Sequence, residues 1–71
     1  MACDYSKLRG KIKEVFGTQD AFAEAIGIGR VSLSQRLTGK LDFTQNEINS
    51  ACESLGIDKS EIPIYFFMEK V

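Results

Sequence analysis

The feature that most constrains this chain is its punctuation. Gly17, Gly27, Gly29, Gly39, Gly56 and Pro63 divide it into short stretches, and within each the apolar residues recur mostly at helical spacing. In the first stretch Tyr5, Leu8, Ile12, Val15 and Phe16 share one face. Asp4 or Ser6 can cap its start, and Gly17 suits a left-handed stop. Gly10 lies inside this helix and weakens it by about 1 kcal/mol relative to alanine. Thr18 caps a second helix with Phe22, Ala23 and Ile26 on its inner face, and Gly27 ends it. A third helix is expected over residues 30–37, with Gly39 as its stop.

The fourth start is the clearest. Thr44 and Glu47 have the spacing of a capping box, and Phe43 and Ile48 that of a hydrophobic staple. Ile48, Ala51, Cys52 and Leu55 then form one apolar face up to Gly56. The signature recurs at Asp58 and Glu61, flanked by Ile57 and Ile62, but Pro63 follows too soon for a long helix on that cap. Ser60 can instead cap a helix with Pro63 in its first turn. The expected fold is all-α: four to five helices in a single domain over residues 1–71, ending in a short apolar tail over residues 58–71.

Size and composition exclude several function classes. Seventy-one residues, 44% of them apolar, make one domain with a small core. No apolar run approaches the roughly 20 residues that span a bilayer, and no signal-peptide pattern opens the chain, so a cytoplasmic protein is expected. Cys3 and Cys52 are too few and too far apart for a disulfide framework or a zinc site, and histidine is absent. Gly27-Ile28-Gly29 lacks the strand and the third glycine of a dinucleotide loop. Neither catalysis nor a cofactor, metal or small-molecule ligand is expected.

Residues 19–37 carry the functional signal. Two helices that cross closely need a small residue at the crossing, a glycine in the turn and apolar residues that lock the pair. Ala23 is the small residue, Gly27 the turn glycine, and Phe22, Ile26, Ile28 and Leu33 the locks. This stretch resembles the helix-turn-helix of phage Cro and repressor proteins, and Ser32 to Lys40, ending in Gly39-Lys40, strengthens the likeness. Leu41 to Leu55 looks like that family's fourth helix, and the likeness covers roughly residues 5–57. More narrowly, the whole chain looks like small Cro-like proteins of phages and prophages. One residue departs from the pattern: Arg36 stands where the family usually has an apolar side chain, and Leu37 follows it.

The resemblance implies a Cro-like transcriptional regulator in a bacterial host, with the third helix in the major groove of an operator and the helix-turn-helix at residues 18–38. Helical stepping of about 100° per residue gives an independent check. With Leu33 and Leu37 inward, Val31 and Gln35 point outward and Ser32 and Ser34 flank them. Val31 suits a thymine methyl, Gln35 an adenine, the serines either base, and Arg30 a guanine or a phosphate. The expected base contacts are therefore Arg30, Val31, Ser32, Ser34 and Gln35. Phosphate contacts are expected from Thr18 and Gln19 at one helix N-terminus, Thr44 and Gln45 at another, and from Arg36 and Lys40.

Charge supports this locally. The net charge is −1, but residues 25–41 hold Arg30, Arg36 and Lys40 and no acid, while residues 42–71 hold six acids and two lysines. The tail allows two readings. Ile64, Tyr65, Phe66, Phe67 and Met68 can wrap the chain's own core, or they can form a homodimer interface that matches a two-fold symmetric operator. A competing function keeps the fold and changes the partner: a protein-interaction module, such as an anti-repressor or adaptor. Arg30 and Arg36 are the residues that favour DNA over that alternative.

Overall fold

A computed structural model describes residues 3–68. They form five helices, α1 (Ser6–Phe16), α2 (Gln19–Ile26), α3 (Arg30–Leu37), α4 (Gln45–Leu55) and α5 (Ile62–Phe66), with one 3₁₀ turn over Lys59–Glu61. The all-α expectation holds. Residues 69–71, the end of the expected tail, lie outside the described residues.

Local signals set the helix ends. Thr18 is the N-cap of α2 and its hydroxyl accepts from the Ala21 N–H at 3.1 Å. At α4 the capping box is complete: the Thr44 hydroxyl accepts from Glu47 N–H at 3.1 Å, and the Glu47 carboxylate accepts from Thr44 N–H at 3.0 Å. Asp4 takes the amide and the hydroxyl of Ser6, although the N-cap position of α1 falls on Tyr5. Of the two arrangements open for residues 58–63, neither forms as such. Asp58 caps the 3₁₀ turn by accepting from Ser60 N–H, and α5 follows with Pro63 in its first turn.

Gly27 and Gly56 stop α2 and α4 in left-handed backbone, at φ 78° and 69°, which strains any residue with a Cβ. In both places the next residue closes the motif. Ile28 N–H donates to Ala23 O, and Ile57 N–H donates to Cys52 O. Ile57 thereby enters the core, and Ile28 packs against it.

The core joins all five helices. Leu8 and Ile12 of α1, Phe22 and Ala23 of α2, Leu33 and Leu37 of α3, Ala51, Cys52 and Leu55 of α4 and Phe66 of α5 are all buried. Phe43, in the loop before α4, stacks edge-on against Tyr5 (5.5 Å between centroids) and against Phe66 (5.2 Å). That aromatic row ties the start of the chain and the α3–α4 loop to the tail. A backbone bond from Asp4 N–H to Met68 O adds a second tie. Both cysteines are free; Cys52 is buried, which pushes its thiol pKa up.

The tail divides between the two readings. Phe66 is fully buried and Tyr65 packs against the core, so the expected interface role of Phe66 is corrected: its ring is already covered by its own chain. Ile64, Phe67 and Met68 stay exposed.

Candidate functional site

The outer face of α3 and the N-terminal turn of α2 enclose one open groove. Its walls are Gln19 and Asp20 from α2, Arg30, Val31, Ser34 and Gln35 from α3, and Thr38 and Lys40 just beyond. Helical stepping places these side chains together. With Leu33 and Leu37 buried, residues 31, 34, 35 and 38 fall on the opposite side. Val31 is 69% exposed, the most exposed large apolar side chain described, and it stands among polar neighbours.

Six of the expected contact residues therefore meet in this groove: Gln19, Arg30, Val31, Ser34, Gln35 and Lys40. Thr18 does not line the groove, and its hydroxyl is engaged in the α2 cap. Ser32 turns partly inward, and its carbonyl accepts from Arg36. Thr44 and Gln45 lie outside the groove, and the Thr44 hydroxyl is taken up in the α4 cap. Sequence reasoning missed Asp20 and Thr38. Thr38 was within reach, since it follows Ser34 by one helical turn. Asp20 was not, because it matters through its position opposite Arg30.

The electrostatics differ from those the sequence suggests. Arg36, expected at phosphate, is drawn into the fold. Its Nε and Nη2 donate to the two carboxylate oxygens of Glu47 at 2.7 and 3.1 Å, and its Nη1 donates to Ser32 O at 3.0 Å. Both side chains are largely covered, at 14% and 13% exposed. Burial alone would raise the Glu47 pKa; the bonds from Arg36 and Thr44 overcome that and hold the carboxyl below its ordinary range. Arg30 lies 3.5 Å from Asp20, an exposed pair on the groove itself. Of the three cations in residues 25–41, only Lys40 stands outside an ion pair among the described residues. The local charge of +3 read from the sequence is thus mostly neutralised by acids that the fold brings in from α2 and α4.

Among the described residues no cluster of side chains can hold a metal ion, and no helix is long and apolar enough to cross a membrane. The groove offers an apolar knob, hydrogen-bonding groups, one acid and two cations on an open surface, which suits a docked macromolecule.

Comparison with known proteins revises the identity. Residues 1–69 match the family described as "Protein of unknown function (DUF739)". The fold is similar to the solution structure of the modulator of repression (MOR) of the temperate bacteriophage TP901-1 from Lactococcus lactis, at 42% identity and a TM-score of 0.83. The match covers 100% of this chain and 96% of that one. No curated protein matches. The resemblance to Cro and repressor proteins is therefore corrected. The spacing over residues 19–37 fixes how two short helices cross, and a modulator of repression meets that requirement without being Cro or a repressor. The chain belongs to the DUF739 family.

Proposed function

We propose that this protein regulates a phage repressor by protein contact, through the groove between α2 and α3, inside the host cell and without catalysis. The observation that carries this reading is the pairing of Arg30 and Arg36. A DNA reader needs free cations along its recognition face, because phosphate contacts supply much of the affinity. Here Arg36 is clamped by Glu47 in a covered site, Arg30 shares its exposed position with Asp20, and Lys40 alone of the three stands outside an ion pair among the described residues. Asp20 also puts a carboxylate where a phosphate backbone would approach the N-terminus of α2.

The same features suit a protein partner. Val31 is an exposed apolar knob with a polar rim, the anatomy of an interface centre. Asp20, Arg30 and Lys40 around that knob give a rim with charges of both signs, which a protein surface can complement. The 42% identity to a phage modulator of repression supports the same class of activity. A second copy of the chain can join through Ile64, Phe67 and Met68, which remain exposed, although three side chains are a small interface.

A pair of anisotropy titrations tests this. One uses labelled duplex DNA at two salt concentrations; the other uses the repressor encoded in the same phage or prophage genome. Saturable repressor binding with only weak, sequence-independent DNA binding is expected. Tight DNA binding, falling steeply with salt, and no repressor binding would reverse the assignment.

A further inference from the structure

The groove depends on a helix that is poorly anchored by itself. α3 has eight residues, a Gly29 N-cap with no side-chain cap bond, and two buried side chains, Leu33 and Leu37. An isolated helix of this length is unstable in water. Its principal helix neighbour is α2, so apolar packing holds it mainly from one side.

Polar ties hold it from the other. Arg36 reaches across to α4 and engages both oxygens of Glu47, while its remaining nitrogen returns to Ser32 O, one turn back in α3. Glu47 is fixed in turn by the α4 capping box. At the far end, Arg9 of α1 donates to Leu37 O at 3.2 Å, on the last carbonyls of α3. A planar guanidinium on a planar carboxylate admits little rotation, so the pair sets the roll of α3 as well as its distance from α4.

We propose that Arg36 and Glu47 are positioning residues for the interaction face: their bidentate pair locks the roll of α3 and so aims Val31 and Gln35 at the partner, although neither residue lines the groove. This rests on the protein-contact reading above for its consequence, and on geometry alone for the lock.

Amide hydrogen exchange by NMR on the full chain tests the lock without a partner. Arg36→Met keeps the alkyl stem and removes the guanidinium. Glu47→Gln keeps an acceptor for the Thr44 N–H and removes the charge. In both variants α3 amides should exchange roughly tenfold faster, while those of α1 and α2 change much less. Arg36→Lys keeps the charge without the fork and should fall between; it also decides the matter if Arg36→Met fails to fold. A uniform change across all helices, or none in α3, would overturn the proposal. Titration with the repressor then reads the consequence: Arg36→Met should weaken binding severalfold and Arg36→Lys should restore part of it. Binding unchanged in variants with a loosened α3 would also overturn it. A wild-type protein that binds no repressor would refute the protein-contact reading, and exchange would still decide the lock.

Discussion

Glu47 accepts from three donors at once: the backbone N–H of Thr44 and two nitrogens of Arg36. Its removal should therefore cost more than removal of its partner. Arg36→Ala should destabilise the fold by about 2 kcal/mol, since it breaks charge-assisted bonds in a largely covered site. Glu47→Ala should cost up to about 1 kcal/mol more, because the Thr44 N–H also loses its carboxylate acceptor, while the Thr44 hydroxyl keeps the backbone N–H of residue 47. Chemical denaturation of the two variants checks the order. The pair also sets the acid limit. The Glu47 pKa is lowered in the folded protein, so its contribution is present above the ordinary value of 4.5 and is lost as pH falls below it. At the alkaline end Tyr5 acts with the opposite sign. Burial first, then a hydrogen bond with Cys3, pushes its pKa from 10.0 up to about 12. Its contribution is present below pH 10 and drains away as pH rises toward 12. Melting curves across pH should show both edges, and Glu47→Gln should blunt the acid one. Arg36 was the residue that departed from the expected apolar pattern in α3. The sequence shows that oddity but not its cause, because Glu47 lies eleven residues away and each residue is a plausible surface charge when read alone.

Helix boundaries were the most legible part of this chain. Thr18, Thr44, Gly27 and Gly56 act locally, through a hydroxyl on a free N–H or a left-handed stop, so their neighbours in sequence suffice to read them. The end of the chain was less legible for the same reason. Asp58, Ser60 and Pro63 allow more than one local arrangement, and tertiary packing of Phe66 against Phe43 makes the choice. Periodicity cannot tell which of Phe66 and Phe67 faces the core in a helix of five residues. The structure separates them, at 1% and 60% exposed. Phe66→Ala should thus cost about 3–5 kcal/mol and leave so small a domain largely unfolded. Phe67→Ala should stay within about 0.5 kcal/mol of the parent. Circular dichroism melts distinguish the two directly, and sedimentation of Phe67→Ala shows whether that side chain supports association.

At the scale of the whole molecule, charge decides the functional reading. The cluster of Arg30, Arg36 and Lys40 is real in sequence, but the acids that answer it come from other helices, Asp20 on α2 and Glu47 on α4. Fold class survives such a rearrangement because it rests on apolar spacing; the identity of the partner does not. The groove residues themselves were mostly foreseen, since they follow from which side of α3 is buried. Their use was not, because an exposed valine, a serine and two glutamines can meet a base edge or a protein surface equally well. Val31→Lys should leave stability within about 0.5 kcal/mol of the parent. It should weaken repressor binding by roughly tenfold or more, through loss of the apolar knob and the charge put in its place.

The most direct test of protein contact is NMR shift mapping on the isotope-labelled chain, first with the cognate repressor and then with duplex DNA at the same salt. The account predicts that the repressor perturbs Gln19, Asp20, Val31, Gln35 and Thr38, with the amides of α5 little changed, and that DNA leaves these residues in place. Perturbation of that same face by DNA, with the repressor moving none of it, would contradict the account.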